Sequence, residues 1–175
     1  MAELKFVITG TPGVGKTTAL CAISDVPPII TDAATTDELA KIKDATTVAM
    51  DFGEVHLEDG TIVRVYGTPG QERFRHMWEI IGEGALGLIV LVDITRENPV
   101  DDMMIYLDNF QALIDETGVV IGVTRNEQAS NFSMDDLNNH LNANGLYFPV
   151  LEADPRNRQD MIDLLDTLMA MLEYA

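Results

Sequence analysis

The sequence is poor in cysteine, in basic residues and in long apolar runs, and each shortage excludes a class of protein. Cys21 is the single cysteine among 175 residues, so no internal disulfide can form and nothing indicates an oxidising compartment. Lysine and arginine number 11 against 29 aspartates and glutamates, which gives a net charge of −18. This charge repels phosphate groups, and it argues against a non-specific nucleic-acid binder and against electrostatic attachment to an anionic membrane.

The sequence also lacks targeting signals and membrane spans. No apolar run reaches the roughly 20 residues that cross a bilayer, and the segment after Met1 has neither the charged nor the apolar region of a signal peptide. We therefore expect a cytoplasmic protein without a direct membrane anchor. Hydrophobic residues make up 46% of the chain and charged residues 23%, which is typical of a globular protein and predicts one domain over residues 1–175.

Apolar runs alternate with helical patterns along the chain. Strands are predicted at residues 4–9, 49–58, 61–66, 85–92, 119–123 and 147–151. The second and third are joined at Asp59-Gly60, which indicates a two-residue type I′ hairpin. The runs at 85–92 and 119–123 are apolar almost throughout, as strands covered on both faces are. The pattern predicts an α/β fold with a mostly parallel sheet and one antiparallel hairpin.

Helices are predicted between these strands from apolar residues at helical spacing. Ser133 and Asp136 form a capping-box pattern at the start of one of them. The helical segments are Thr18–Ile23, the run through Met103, Leu107, Phe110 and Ile114, the segment through Leu137 and Leu141, and the stripe from Met161 to Leu172.

The first predicted strand leads into a glycine-rich segment that matches the phosphate-loop pattern G-x-x-x-x-G-K-[ST] at each fixed position. The predicted phosphate-binding residues are Gly10, Thr11, Pro12, Gly13, Val14, Gly15, Lys16, Thr17 and Thr18. Glycines let backbone N–H groups surround an anion, and the following helix adds the positive end of its dipole. Lys16 would reach the β- and γ-phosphates, and the Thr17 hydroxyl would bind Mg²⁺. Nucleotide and shikimate-type kinases use the same loop and are the rival class.

A second motif resembles one family that carries this loop. Gly67-Thr68-Pro69-Gly70-Gln71-Glu72 is similar to the D-T-A-G-Q-E segment of Ras-like GTPases, and the segment from Thr47 to Phe52 looks like their first switch. The chain therefore resembles the bacterial and archaeal small Ras-like GTPases, near the gliding-motility GTPases and the predicted GTPases similar to the signal-recognition-particle receptor β subunit. The resemblance covers essentially the whole chain. It implies a P-loop NTPase three-layer sandwich with six strands and about five helices.

The resemblance also implies roles for single residues. Thr47 would close on Mg²⁺ and the γ-phosphate together with Thr17, and the Gly70 N–H would meet the γ-phosphate. Gln71 would orient the attacking water, so that Gln71, Lys16 and Thr47 carry slow hydrolysis of GTP to GDP. The expected cofactor is Mg²⁺.

Three positions depart from the family pattern. Gly67 replaces the aspartate that supports Mg²⁺, which predicts weaker metal binding. The base-reading motif is Thr124-Arg125-Asn126-Glu127, in which Glu127 would accept from guanine and Arg125 would cover the base. The last motif is Glu152-Ala153-Asp154, in which the Ala153 N–H would meet guanine O6. Guanine is the predicted base, and adenine remains open.

Two functions from different classes follow. One is a Mg²⁺-dependent GTP-hydrolysing switch; the other is a non-hydrolysing nucleotide-binding scaffold, or an ATP-binding P-loop protein. The family resemblance implies a protein partner at the switch face, such as the roadblock-type proteins with which bacterial relatives work. The candidate surface includes the edge strand 49–58, Met77 and Trp78, although Trp78 fits a core position equally well.

Overall fold

The computed structural model describes residues 2–30 and 51–174, which form a six-stranded sheet with helices on both faces. The strands are β1 (Glu3–Gly10), β2 (Asp51–His56), β3 (Ile62–Gly67), β4 (Leu88–Asp93), β5 (Val119–Thr124) and β6 (Val150–Glu152). Their order is β2-β3-β1-β4-β5-β6, with β2 antiparallel to β3 and the remaining pairs parallel. This arrangement confirms the prediction of a mostly parallel sheet with one antiparallel hairpin.

Six α-helices lie within the described residues. They are α1 (Lys16–Ile23), α2 (Arg75–Gly82), α3 (Pro99–Asn109), α4 (Gln111–Glu116), α5 (Met134–Ala143) and α6 (Arg158–Glu173). Short 3₁₀ turns occur at Glu72–Phe74 and Asn126–Gln128. None of the helices in the described part of the chain combines the length and the apolar character needed to cross a bilayer.

Alternation along the strands divides the core between the two faces of the sheet. In β1, Val7 packs into one cluster with α2, α3 and α5, whereas Phe6 and Ile8 pack into the other with α1 and α6. Successive side chains of a strand point to opposite faces, so a strand covered on both sides must be apolar at every position. These three layers are those of the P-loop NTPase fold, and that prediction is confirmed.

The parallel strands bring their carboxyl ends to one edge of the sheet. β1 ends at Gly10 and β3 ends at Gly67, while β4 and β5 end at Asp93 and Thr124. In open α/β sheets this edge is where ligands bind. The loops that follow these four strands contain most of the residues singled out in the sequence.

The hairpin between β2 and β3 has a different turn from the predicted type I′. A type I′ turn needs positive φ at both central residues, yet Gly60 (φ 87°) is the only residue of the loop with positive φ. The Gly60 N–H donates to Leu57 O, and Leu57 N–H donates to Thr61 O. The loop is therefore three residues long, a type I turn followed by a left-handed glycine.

Three further predictions differ in detail from the structure. The strand predicted at 147–151 is shorter and shifted, because β6 covers only Val150–Glu152. The run from Met103 to Ile114 is interrupted at Phe110 (φ −104°, ψ 16°), where α3 ends and α4 begins, so there is one more helix than expected. The strand predicted at 85–92 begins only at Leu88, because Leu86 N–H donates to Lys5 O outside the regular ladder. The capping box is confirmed, since Ser133 and Asp136 accept from each other's backbone N–H groups.

Two residues of the candidate partner surface are buried, and residues 49 and 50 of its edge strand lie outside the described residues. Met77 and Trp78 are 8% and 1% exposed, so both belong to the core. The Trp78 ring lies 5.0 Å from that of Tyr106 and 6.1 Å from that of Phe110, measured between centroids. Part of the outer edge of β2 is covered as well, because Ile29 and Phe52 exchange backbone hydrogen bonds of 2.9 Å.

A core role for Trp78 predicts a large loss of stability on truncation. Trp78→Ala should lower the free energy of unfolding by about 3–5 kcal/mol, because it leaves a cavity between α2 and α3. Ile80, 49% exposed on the same helix, is the matched control, and Ile80→Ala should cost only about 0.5 kcal/mol. Urea unfolding followed by circular dichroism measures both, and equal costs would contradict the core assignment.

Candidate nucleotide-binding site

Two adjoining pockets lie at the carboxyl edge of the sheet and share the phosphate loop as a wall. The first, of about 360 Å³, is lined by Pro12, Gly13, Gly15, Lys16, Thr17, Thr18, Asp51, Gly67, Thr68, Pro69, Gly70, Gln71 and Phe74. The second, of about 660 Å³, lies between the loop after β5 and the loop after β6. Gly13, Gly15 and Thr18 line both. Together they form one groove of the size that holds a small-molecule ligand.

The phosphate loop has a backbone that only glycine adopts readily. Gly13 (φ 77°) and Gly15 (φ 118°) take left-handed conformations immediately before α1. A Cβ at Gly15 would lie 2.7 Å from Pro155 Cγ, so a side chain there would push the loop away from the β6 side. The glycines therefore bring the backbone close to both pockets at the start of a helix, as an anion site requires.

Lys16 extends along the floor of the first pocket. Its ammonium donates to Gly10 O (2.6 Å) and Thr11 O (2.9 Å), the two carbonyls that open the loop. Burial lowers the pKa of Lys16 to about 8, and the nearby Asp51 carboxylate opposes that fall. Burial thus disfavours the charged form of Lys16, and a phosphate bound in this pocket would stabilise it.

Thr17 and Asp51 form a pair that the sequence interpretation missed. The Thr17 hydroxyl donates to Asp51 Oδ2 at 3.1 Å, and both residues line the first pocket. In the sequence, Asp51 falls in the predicted strand 49–58 and in the segment from Thr47 to Phe52 that resembles a first switch, and neither pattern gives it a role of its own. Thr47, the other predicted metal ligand, lies outside the described residues.

The segment after β3 packs directly on the phosphate loop. The Thr68 N–H donates to Ile8 O (3.1 Å), and the buried hydroxyls of Thr68 and Thr9 lie 2.6 Å apart. A Cβ at Gly70 would lie 2.5 Å from Lys16 Nζ and 2.7 Å from Gly10 O, so only glycine fits. Gln71 follows at the start of the 3₁₀ turn and lines the same pocket.

Two buried side chains of the core hold this segment in place. The Tyr106 hydroxyl donates to Gly70 O at 2.8 Å, and Trp78 Nε1 donates to Pro69 O at 2.6 Å. Burial raises the pKa of Tyr106, so its phenol keeps the proton that it donates. Nothing in the local motif indicated these two contacts, since the donors come from α2 and α3.

The base-side loop after β5 is tied to its neighbours through Arg125. Arg125 takes a left-handed conformation (φ 56°); its guanidinium forms an ion pair with Asp93 and approaches Gly13 O at 3.4 Å. Burial opposes ionisation of Asp93, but hydrogen bonds from Thr95 and Arg125 hold its pKa below the ordinary value. Thr124 is buried and donates weakly to Val92 O (3.4 Å). Glu127 is exposed and lines the second pocket.

Ala153 lies at the second pocket, but its N–H is already used. It donates to Val123 O at 2.9 Å as an extension of the β5–β6 pairing. The next N–H, that of Asp154, donates to Asp160 Oδ2 at 2.9 Å. To donate to guanine O6, the Ala153 N–H would have to give up its hydrogen bond to Val123 O. The spacing of motifs along the sequence could not show that this N–H already has a partner.

The hydrogen bond from Tyr106 to Gly70 gives a testable prediction. Tyr106→Phe keeps the ring packing and removes one bond worth about 1 kcal/mol, so the segment from Thr68 to Gln71 should open more easily. Amide hydrogen exchange at Gly70 and Gln71 should rise about fivefold or more, since 1 kcal/mol is about a factor of five.

Tyr147→Phe provides the control, because Tyr147 is 78% exposed and far from that segment in the chain. It should leave exchange at Gly70 and Gln71 unchanged. The two variants behaving alike would show that the Tyr106 hydroxyl does not hold the segment.

Comparison with known proteins places this site in a wider group. The Ras-related protein RABE1d of Arabidopsis thaliana is 30% identical over 111 residues, which are 62% of this chain and 46% of that protein. The Ras-related protein Rab-8B of Homo sapiens is 31% identical over 110 residues, 61% of this chain and 47% of that protein. An uncharacterised protein of Methanocaldococcus jannaschii is 30% identical over 95 residues, 54% of this chain and 53% of that protein.

The chain thus spans about half the length of these curated relatives. The family match is longer and includes both pockets, for it runs from residue 8 in β1 to residue 167 in α6. Because this match extends over most of the sequence, the chain belongs to the family described as conserved hypothetical ATP binding protein.

Proposed function

We propose that the protein binds a guanine nucleotide with Mg²⁺ and hydrolyses GTP slowly to GDP and phosphate, as a switch does. The observation that carries the proposal is the meeting of Lys16, Gly70 and Gln71 at one pocket, on a glycine-rich loop that begins a helix. The Ras-related names of the relatives agree with it. A closer relation to the bacterial gliding-motility branch, a cytoplasmic location and a roadblock-type partner stay predictions.

The residues of the first pocket have separate tasks in this reaction. Lys16 neutralises phosphate charge, and the loop amides and the Gly70 N–H stabilise the charge that develops on the γ-phosphate oxygens. Gln71 orients a water for attack on the γ-phosphorus, so that the bond to the β-phosphate oxygen breaks and GDP leaves. Loss of the γ-phosphate removes the partner of Gly70, and the segment from Thr68 to Gln71 is then free to relax.

The donor set of the first pocket fits Mg²⁺. The Thr17 hydroxyl and the Asp51 carboxylate offer hard oxygen atoms 3.1 Å apart. In residues 2–30 and 51–174 no three histidine, cysteine or carboxylate side chains form a dedicated metal cluster, but Mg²⁺ beside nucleotides takes only one or two protein ligands and the phosphates. When bound, the ion supplies positive charge to the β- and γ-phosphates.

An ATP-binding role is the second candidate. The family description names ATP, and the base-side loop lacks the asparagine of the guanine-reading motif. Glu127 decides for guanine in the proposal, because a carboxylate accepts from the N1–H and N2–H₂ groups that guanine presents. The non-hydrolysing scaffold is less favoured, since it gives Gln71 and Gly70 no task.

The test is equilibrium binding of GTP, GDP and ATP to nucleotide-stripped protein at fixed Mg²⁺, with released phosphate followed over hours. We expect guanine nucleotides to bind at least tenfold more tightly than ATP, a difference of about 1.4 kcal/mol. Phosphate release should be slow, and it should be lost in Gln71→Ala while GTP binding remains.

Glu127→Gln is the variant that checks the base assignment. It should weaken GDP binding by roughly tenfold, since a charge-assisted hydrogen bond is worth about 1.5–3 kcal/mol, and it should leave ATP binding as tight as in the wild type or tighter, because the carboxylate repels the N1 lone pair of adenine. Tight binding without phosphate release would favour the scaffold, and a preference for ATP would overturn the guanine assignment.

Lys16 predicts a pH dependence of binding. Its pKa of about 8 belongs to the empty pocket, and phosphate favours the charged form, so binding above this pH must take up a proton. The affinity for GDP should be nearly constant from pH 6.5 to 7.5 and about tenfold lower at pH 9.

The Lys16→Arg variant separates this effect from titration of the nucleotide. Arginine stays protonated throughout, so a decline that the variant shares with the wild type comes from the base of the nucleotide. Parallel curves for the two proteins, measured by calorimetry, would contradict the assignment to Lys16.

A further inference from the structure

The position that lacks an acid, Gly67, has one directly beside it on the neighbouring strand. In the antiparallel ladder of β2 and β3, Asp51 is the register partner of Gly67. Residues opposite each other in such a ladder point to the same face of the sheet. Side chains at positions 51 and 67 therefore point into the same space at the edge of the first pocket.

A side chain at position 67 would lie in contact with the side chain of Asp51. A Cβ built on Gly67 would lie 3.5 Å from Asp51 Cβ and 3.1 Å from Leu20 Cδ1. A carboxylate on either strand would therefore begin from nearly the same place and extend into the same pocket. Gly67 is buried in extended backbone, whereas Asp51 is half-buried and lines that pocket.

The contact between Asp51 and Thr17 orients the threonine for a cation. Thr17 donates its hydroxyl hydrogen to Asp51 Oδ2 (3.1 Å), which leaves the lone pairs of the Thr17 oxygen for another partner. The negative charge of Asp51 also acts on Lys16, where it counters the effect of burial. A carboxylate beside a hydroxyl at the start of α1 is the chemistry that Mg²⁺ prefers.

We propose that Asp51 is the carboxylate that supports Mg²⁺ at this site, in place of an acid at Gly67. The acidic side chain stands on β2, opposite position 67 of β3, and contacts Thr17 there. Asp51 holds the Thr17 hydroxyl and offers its oxygens to the ion and its water shell. This inference rests on the proposed function, since it concerns the cation of the same nucleotide site.

The experiment measures the release of fluorescently labelled GDP as a function of Mg²⁺ concentration, and it needs no hydrolysis. In the wild type, rising Mg²⁺ should slow release with a clear midpoint. Asp51→Asn keeps the size of the side chain and should raise that midpoint by about 10–100-fold, the usual effect of losing a group that supports a metal ligand. Release in excess EDTA should stay within about twofold of the wild type, because without the ion the nucleotide is held by the phosphate loop, which the variant leaves unchanged.

Asp108→Asn is the matched control. Asp108 is exposed on α3 and does not line the pocket, and the variant removes the same single charge. Its Mg²⁺ midpoint should equal that of the wild type. Equal midpoints for Asp51→Asn and Asp108→Asn would overturn the inference, and urea unfolding of each variant checks that all are folded.

A rescue variant separates metal support from a structural role of Asp51. In Asp51→Asn/Gly67→Asp the carboxylate returns to the same space from β3, where the added Cβ meets Cδ1 of the buried Leu20 at 3.1 Å. The Mg²⁺ midpoint should recover at least half of its shift on a logarithmic scale. No recovery in a folded double variant would mean that Asp51 acts otherwise than by placing charge at the ion.

The wild-type result distinguishes this inference from the function on which it rests. If neither labelled GDP nor labelled ADP binds, the proposed function fails and the inference fails with it. If labelled ADP alone binds, the guanine assignment fails, and the Mg²⁺ midpoints measured with ADP decide the role of Asp51. If labelled GDP binds and Asp51→Asn leaves the midpoint unchanged, the inference alone is wrong.

Discussion

The site depends on one interaction, the hydrogen bonding of the Lys16 ammonium to the carbonyls of its own loop. A buried ammonium is costly without partners, and Gly10 O and Thr11 O supply them at 2.6 and 2.9 Å. These bonds fix the lysine at the end of β1, the strand between β3 and β4 in the sheet. They leave no room for a side chain at position 70, so the loop after β3 must carry a glycine where it meets them.

This constraint links the site to the core on one face of the sheet. Gly70 lies against the Lys16 ammonium. The carbonyls of Gly70 and Pro69 accept hydrogen bonds from the core residues Tyr106 and Trp78. Those two rings lie 5.0 Å apart, with their planes tilted by 37°, inside the cluster of α2 and α3. The position of Gly70 relative to the phosphate loop is thus set by core packing, and a change in that packing reaches the nucleotide site through two hydrogen bonds.

The fold and the phosphate loop could be predicted from local patterns, whereas the pairing of Thr17 with Asp51 could not. Strand alternation, the loop motif and the capping box each depend on neighbours in the sequence. The position of Asp51 opposite Gly67 depends on the register of β2 and β3, and one residue more or less in the turn changes that register. With the three-residue loop, positions equally far from Asp59 pair, and Asp51 faces Gly67. The two-residue turn that Asp59-Gly60 indicated would have paired Asp51 with Thr68, so the pairing of Asp51 with Gly67 could not be predicted from the sequence. The break at Phe110 and the bond from Tyr106 to Gly70 likewise depend on tertiary packing.

In the second pocket, the groups that could bind a base are those that have no hydrogen bond within the protein. The Ala153 and Asp154 N–H groups already donate within the protein, and the Arg125 guanidinium is paired with Asp93. Arg156 pairs with Asp154 and holds its pKa at about 2, so this carboxylate is ionised and engaged. Glu127, exposed in the second pocket, interacts with Arg156 through charge alone within the described residues, so its oxygens stay available to a base. An ionised acceptor attracts the adjacent N1–H and N2–H₂ donors of guanine and repels the N1 lone pair of adenine. In the proposed function this loop, which has Thr124 where the guanine-reading motif has asparagine, would select guanine through charge rather than through a set of matched hydrogen bonds.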